Sequence, residues 1–288
     1  MPSPSGPAIA FTNFWGRFDV EHGFLPYLLR KAFGAFHVAD RLRDADLILT
    51  SVFPHAPSKF PEKTLGVIWE NLRPNYDYYA RSISSDFDSY GGRNVRAPFW
   101  WGEIDWEGKV GPMAGRDFHE PRVALERLMT PRPPRPRPDR FCCFLARNGV
   151  AYRQRAVEAL EGIGPVDQFG ALAGAPIERS KYELLPDYRF NLCFENSTFP
   201  GYHTEKPLQA WVGGCVPLYW SDPWWTLDFN PKALINRIDF PSLEAFADRV
   251  AEVEGRPELW EEIAAEPLVI EPPSLDGVLQ FLRDAVGD

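Results

Sequence analysis

One stretch, residues 188–224, restricts the fold of this chain more than any other. Phe190, Leu192 and Phe194 alternate with Asn191 and Cys193, which is the period of a strand with one apolar face. A polar loop, a helical segment that ends at two glycines, and a second apolar strand follow in that order. Strand, loop, helix and strand make a βαβ unit, and such a unit requires a parallel sheet. The sequence therefore predicts an α/β fold.

The loop of this unit is predicted to bind a ligand, because open parallel sheets bind ligands beyond the carboxyl ends of their strands. Thr204 is expected to cap the helix, and Pro207 is tolerated in its first turn. Free N–H groups at the helix start and the ammonium of Lys206 favour an anion such as a diphosphate. Glu205 is better suited to accept hydrogen bonds from sugar hydroxyls. Together these residues predict a nucleotide site.

A second carboxylate ends another predicted strand, Leu65 to Trp69. From the residues alone, Glu70 is equally a solvated strand end or a catalytic base. A strand from Ile9, a helix over Phe24 to Phe36 and a strand over Leu47 to Val52 precede it. Strands that alternate with helices predict a parallel sheet in this part of the chain as well.

Composition limits the class of function. A net charge of −9 argues against binding to nucleic acid, which needs a basic surface. The four cysteines lie in apolar segments without C-x-x-C spacing, so we expect free thiols in a reducing cytoplasm. We also expect a soluble chain, because no secretory signal and no run of about 18 apolar residues is present.

The residues of the first stretch carry a family resemblance. Phe194-Glu195-Asn196-Ser197 and, three residues later, Gly201-Tyr202-His203-Thr204-Glu205-Lys206 resemble the donor motif of the α-1,3/1,4-fucosyltransferases, glycosyltransferase family 10. The resemblance continues through Val216 to Trp220 and Asp228 to Lys232. The chain departs from the family pattern at Gly201, His203, Pro207 and Ser221. It resembles the bacterial cytosolic members, since the membrane anchor of the eukaryotic ones is not seen.

The resemblance implies the GT-B architecture, two Rossmann-like domains that face each other across a cleft. We therefore expect an acceptor-binding domain over residues 1–130 that carries the general base, and a GDP-sugar domain over 139–268. The Pro-rich and Arg-rich segment 131–138 is predicted to be an extended linker outside both cores, with an SH3-type ligand as the less favoured alternative. Residues 269–288 are predicted to contain a helix that packs back across the hinge.

The resemblance also assigns roles to single residues. It implies an inverting transfer of L-fucose from GDP-β-L-fucose to a hydroxyl of a glycan acceptor, with Glu70 as general base. Arg153 and Lys206 would hold the diphosphate, and Glu205 the ribose hydroxyls. The remaining donor-site residues implied by the motif are Asn196, Tyr202 and Glu195.

Some of these assignments keep an alternative. Tyr202 could serve loop packing instead, and Glu195 is expected to support the loop more than to touch the donor. His203 is interpreted as structural, with a pH-dependent contact as the alternative. Asp86-Phe87-Asp88 fits a D-x-D metal site only superficially, so we expect no metal and no cofactor.

Two other functions remain open. One is a transferase of the same fold that uses another GDP-linked sugar. The other is a protein that binds a GDP-sugar without transferring it. A hydrolase or phosphorylase on this fold is disfavoured by the family resemblance. The sequence does not specify the acceptor.

Overall fold

The computed structural model describes residues 6–16, 18–52, 56–108, 123–146, 149–170 and 180–287. These residues form two compact units. The first contains the described residues up to Gly102 together with those from Pro273 onward, and the second contains the described residues from Glu103 to Pro272. Each unit has its own parallel sheet, and the predicted α/β class with GT-B-type architecture is confirmed.

The strands pair in parallel throughout. The first unit holds a six-stranded sheet in the order β2-β1-β3-β4-β5-β6, and the second a five-stranded sheet in the order β10-β9-β11-β12-β13. A short parallel pair, β7 with β8, stands apart from both. The strands are β1 Ala8–Thr12, β2 His37–Val38, β3 Leu47–Thr50, β4 Thr64–Ile68, β5 Arg81–Ser84, β6 Asn94–Arg96, β7 Ile104–Asp105, β8 Val123–Ala124, β9 Arg140–Leu145, β10 Val166–Phe169, β11 Tyr188–Leu192, β12 Val216–Tyr219 and β13 Ile235–Asn236.

The described residues also form α-helices in both units. The first unit contains α1 and α8, and the second contains the others. They are α1 Phe24–Phe33, α2 Leu125–Met129, α3 Ala151–Glu161, α4 Lys181–Leu184, α5 Lys206–Val212, α6 Leu243–Gly255, α7 Pro257–Ala265 and α8 Asp276–Gly287.

The core of the second unit explains the alternation seen in the sequence. Phe190, Leu192 and Phe194 all lie in one buried cluster, to which α3, α6 and α7 contribute. Ser242 caps α6, since its hydroxyl accepts a hydrogen bond from the N–H of Ala245 at 3.2 Å. The strand that the pattern predicted is therefore held by apolar packing on one side.

Helix α1 is shorter than predicted. It ends at Phe33 rather than Phe36 because Gly34 adopts a φ of 76° and donates its N–H to the carbonyl of Arg30 at 2.8 Å. Glycine takes this left-handed conformation without steric cost, so it ends the helix.

Strand β5 was not predicted, because its sequence is polar. Ser82 and Ser84 are nevertheless buried, and both hydroxyls donate to the Oδ1 atom of Asn94, at 2.8 and 2.9 Å. Hydrogen bonds between neighbouring strands thus satisfy side chains that the apolar pattern does not include.

The prediction that segment 131–138 stays outside both cores is wrong. Arg132 is buried in the second unit and donates to the carbonyls of Ala264 (2.5 Å), Trp211 (2.6 Å) and Cys215 (3.3 Å). The prolines keep the backbone extended, but this arginine fixes it to the unit. Residues 103–108 and 123–130 also lie in the second unit, although 1–130 was predicted to be the first domain.

Helix α8 lies within the predicted C-terminal segment and belongs to the first unit. There Arg283 donates to the carbonyl of Ala32 in α1 at 2.9 Å, and Val278 and Leu282 are buried. The two ends of the chain therefore share one core.

Candidate functional site

A buried carboxylate, Glu195, organises the loop that follows β11. Its Oε1 atom accepts hydrogen bonds from the N–H of Thr204 (3.0 Å), the hydroxyl of Thr204 (2.7 Å) and the hydroxyl of Tyr219 (2.9 Å). Its Oε2 atom accepts from the ammonium of Lys206 at 2.6 Å. The side chain is 0% exposed, so the protein alone satisfies it. This arrangement agrees with a supporting role for Glu195.

The cap of helix α5 differs from the prediction. Glu205, not Thr204, occupies the cap position, and the helix begins at Lys206 with Pro207 in its first turn. The hydroxyl of Thr204 cannot cap the helix because it donates to Glu195 and accepts from Lys206 at 2.8 Å. Thr204 therefore links the loop to the charged pair.

Charge at the start of α5 is well defined. Burial alone would lower the pKa of Lys206, but Glu195 and Glu205 raise it above its usual value. Burial alone would raise the pKa of Glu205, but Lys206 and Lys181 lower it. At neutral pH Lys206 is thus an ammonium and the neighbouring Glu205 is a carboxylate.

Arg153 brings a second cation to the same place. It lies on α3, is buried, and donates through Nε (3.0 Å) and Nη2 (2.5 Å) to the carbonyl of Phe194, directly before Glu195. Burial lowers the pKa of Arg153 despite the nearby Glu195 carboxylate, yet an arginine remains charged at any physiological pH. Arg153 and Lys206 are close enough for their charges to interact.

Asn196 and Tyr202 lie on the loop between these cations. Asn196 is half-buried, whereas Tyr202 is only 3% exposed and its backbone N–H donates to the carbonyl of Phe199 at 2.9 Å. The burial of Tyr202 agrees with the loop-packing alternative at least as well as with a donor contact.

His203, a departure from the family pattern, is completely buried between two carboxylates. Its Nδ1 atom lies 2.5 Å from Asp228 Oδ2, and its Nε2 atom lies 2.7 Å from Asp222 Oδ2. Burial alone would lower the pKa of His203, but the hydrogen bonds to Asp222 and Asp228 raise it. The same Asp222 oxygen also accepts from the N–H of Gly201 at 3.1 Å.

Glu70 lies in the first unit, two residues after the last residue of β4, and its side chain is exposed. The loop that carries it is fixed by Arg73, which donates to Asn71 Oδ1 (2.7 Å) and Asp86 Oδ2 (3.1 Å). Asp86 also accepts from the hydroxyl of Tyr90 at 2.6 Å. The first Asp of the D-x-D triplet is thus used to hold this loop.

Several residues of the site were not foreseen. Tyr219, Asp222 and Asp228 hold Glu195 or His203. Tyr219 and Asp228 fall within the family pattern, but the sequence assigned no role to any of the three. The pairing of β11 with β12 brings the ends of both strands together, and only the sheet order reveals it. The sequence does contain one signal for these residues, because Asp222 and Asp228 follow the predicted strand that ends at Trp220.

Two features of the described ranges bear on other functions. They contain no group of three or more His, Cys, Asp or Glu side chains placed to hold a metal ion. They also contain no helix with both the length and the apolar character needed to cross a bilayer.

Comparison with known proteins supports the resemblance. Residues 139–263 match the model of glycosyltransferase family 10 (fucosyltransferase), C-terminal part. An α-(1,3)-fucosyltransferase FucT from Helicobacter pylori is 26% identical over 275 residues, which cover 86% of this chain and 57% of that protein. The α-(1,3)-fucosyltransferase 7 of Rattus norvegicus is 31% identical over 175 residues, 58% of this chain and 45% of that protein.

The fold is also that of a solved structure. A crystal structure of an α1,3-fucosyltransferase with GDP-fucose superposes with a TM-score of 0.74 at 21% identity, covering 99% of this chain and 92% of that one. The chain spans about half the length of the curated relatives it matches. The resemblance to glycosyltransferase family 10 is confirmed.

Proposed function

From its resemblance to glycosyltransferase family 10, we propose that this chain is an inverting α-1,3-fucosyltransferase. It moves L-fucose from GDP-β-L-fucose to a hydroxyl of a glycan acceptor. One observation carries the proposal: two cations bond to consecutive residues within the segment that matches the family model, Arg153 to the carbonyl of Phe194 and Lys206 to the carboxylate of Glu195. The relatives and the solved structure named above are fucosyltransferases, one of them with GDP-fucose.

The donor half of the mechanism follows from charge. Negative charge develops on the departing diphosphate in the transition state, so cations fixed in advance stabilise it. An ammonium has three N–H groups, and Glu195 and Thr204 accept from the Lys206 nitrogen in this structure. A further N–H of Lys206 and N–H groups of Arg153 other than the two that donate to Phe194 are proposed to bind the diphosphate, and Glu205 the ribose hydroxyls. Asn196 and Tyr202 would line the donor pocket.

The acceptor half needs a base. We assign this role to Glu70, an exposed carboxylate at the carboxyl end of a parallel strand. It would take the proton of the acceptor hydroxyl as the oxygen attacks the anomeric carbon from the face opposite the GDP. In-line attack inverts the anomeric centre, so a β-linked donor gives an α-fucoside.

Protein cations supply the charge that a metal provides in other transferases. The proposed reaction therefore needs no metal and no cofactor. We further propose the cytoplasm as the compartment, since all four cysteines are free thiols and buried. Nucleic acid is not a proposed partner, given the charge of −9.

The test is a transfer assay on a glycan array with GDP-fucose, followed by NMR of the product. We expect an α-fucoside on position 3 of an acceptor sugar, in the presence of EDTA as well as without it. Transfer from GDP-mannose but not GDP-fucose would favour the alternative donor. Tight binding of GDP-fucose without transfer or hydrolysis on any acceptor would favour the non-catalytic alternative, and neither binding nor transfer would contradict both.

A further inference from the structure

In the second unit, His203 connects two segments that are distant in sequence but lie next to each other in the fold. It lies in the loop after β11, and its two partners, Asp222 and Asp228, lie in the turn after β12. Within that turn, the N–H of Trp224 donates to Asp222 Oδ1 at 2.7 Å. His203 is 0% exposed, so water does not compete for these bonds.

The geometry limits the proton count of this cluster once both aspartates are ionised. A neutral imidazole has one N–H donor and one acceptor nitrogen, whereas an ionised carboxylate only accepts. Because a carboxylate oxygen lies within hydrogen-bond distance of each ring nitrogen, both nitrogens must carry hydrogen while both aspartates are ionised. His203 is then an imidazolium, and charge-assisted hydrogen bonds of this kind are the strong ones.

The cluster of His203, Asp222 and Asp228 is connected to the loop of residues 201–206 on both sides of His203. On one side, Asp222 Oδ2 also accepts the N–H of Gly201, which adopts a φ of 89°. On the other side, the next residue, Thr204, donates its N–H and its hydroxyl to Glu195. A shift of His203 would therefore move the residues that place Lys206.

Two carboxylates and an aromatic ring lie around the imidazole ring. The charges that shift its titration are those of Asp222 and Asp228. The ring centre of Phe229 lies 6.0 Å away, and Tyr219, which interacts with Asp228, stays neutral because burial raises its pKa well above the usual value. Both carboxylates therefore favour the charged form of the ring.

We infer that protonated His203 is a positioning residue for the donor nucleotide: it clamps the loop of residues 201–206 to the turn of residues 222–228. This inference rests on the proposed function, since it assigns His203 to the site where GDP would bind. His203 differs from the aliphatic residue that is usual at this position in the family pattern. An aliphatic side chain could fill the same space, but it has no proton to lose.

The clamp has a defined pH dependence. A histidine whose pKa is raised by folding stabilises the folded arrangement below its unfolded pKa of about 6.5 and loses that contribution as pH rises through the higher, folded value. We therefore expect GDP affinity to be highest when the ring is charged and to fall at alkaline pH.

The test measures GDP affinity by calorimetry from about pH 6 to about pH 9, for the wild type, His203→Gln and His203→Val. We expect both variants to bind GDP on the order of tenfold more weakly at neutral pH, and the ratio of variant to wild-type Kd to shrink toward one as pH rises. The ratio removes the ionisation of GDP itself from the comparison. His22→Gln is the matched control, because His22 also bonds to an aspartate, Asp19, at 2.9 Å but is exposed.

Two measurements on the wild-type protein keep the inference testable if the variants do not fold. In ¹⁵N NMR of labelled histidine, both ring nitrogens of His203 should be protonated at neutral pH. Amide hydrogen exchange at Gly201 and Thr204 should quicken at alkaline pH beyond the intrinsic chemical increase.

The outcomes separate the two claims. An imidazole ring of His203 with one unprotonated nitrogen at neutral pH would contradict the inferred role of His203. So would a His203→Gln variant with the wild-type Kd at every pH. A wild-type protein that binds no GDP at all contradicts the proposed function instead, and the NMR and exchange results then decide whether the clamp exists.

Discussion

Glu195 shows how one residue can specify a loop. Burying a carboxylate away from solvent costs free energy. Here four hydrogen bonds, including one from the ammonium of Lys206, offset that cost. The sequence placed a carboxylate at a strand end and favoured support of the loop for it. It could not show that Tyr219 and Thr204 bind the same oxygen, because that contact depends on which strands are neighbours.

Replacing Lys206 tests both of its roles, which are to pair with Glu195 and to bind the diphosphate. Lys206→Met should lower the free energy of unfolding by about 3–5 kcal/mol, because it leaves Glu195 buried without its cation, and should weaken GDP binding as well. Urea unfolding and calorimetry with GDP measure the two effects.

A double variant separates stability from binding. Adding Glu195→Gln to Lys206→Met removes the uncompensated charge, so we expect most of the lost stability to return while GDP binding stays weak. Lys181→Met is the control, since Lys181 donates to Gln209 in the same helix at 2.8 Å, whereas the ammonium on Glu195 is that of Lys206. A wild-type unfolding midpoint in Lys206→Met would contradict this description of the cluster.

At the scale of elements, the apolar pattern predicted strands and helices well where one face is buried. It missed β5 because Ser82 and Ser84 enter the core through hydrogen bonds to Asn94. It also misjudged the Pro-rich segment, since proline density reports an extended backbone and says nothing about where an arginine side chain is anchored. Both failures concern buried polar groups, whose partners are distant in sequence.

The Pro-rich segment gives a sharp test. Arg132→Lys should destabilise the second unit by about 3 kcal/mol, because an ammonium cannot reach three diverging carbonyls as the planar guanidinium does. Thermal unfolding and hydrogen exchange in residues 131–138 measure it.

Arg135→Lys is the matched control for that variant. Arg135 lies in the same segment and donates to the carbonyl of Pro186 at 2.8 Å, but in a more exposed setting. We expect a loss below about 1 kcal/mol for it. Equal losses in the two variants would mean that Arg132 does not anchor the segment.

At the scale of the whole molecule, the α/β class, the parallel sheets and the position of the candidate loops at strand ends followed from the sequence. The order of strands in either sheet did not, nor did the assignment of residues 103–108 and 123–130 to the second unit. Those features depend on contacts between distant segments, which no local period encodes. Helix α8 belongs to the first unit because Leu282 and Val278 complete its core.

In the proposed reaction, the first unit supplies the base and the second unit holds the nucleotide. Because Glu70 and the cations Arg153 and Lys206 lie in different units, chemistry and binding should be separable by mutation. Asp77→Asn serves as the control for Glu70→Gln, because Asp77 is another acidic residue of the first unit.

The most direct measurement is the transfer rate and GDP affinity of Glu70→Gln, side by side with the wild type. The amide keeps the size of the side chain but cannot accept the proton, so we expect transfer from GDP-fucose to fall by about 10²–10⁴-fold while the Kd for GDP stays within about twofold. Wild-type transfer by Glu70→Gln would contradict the assignment of Glu70 as the general base.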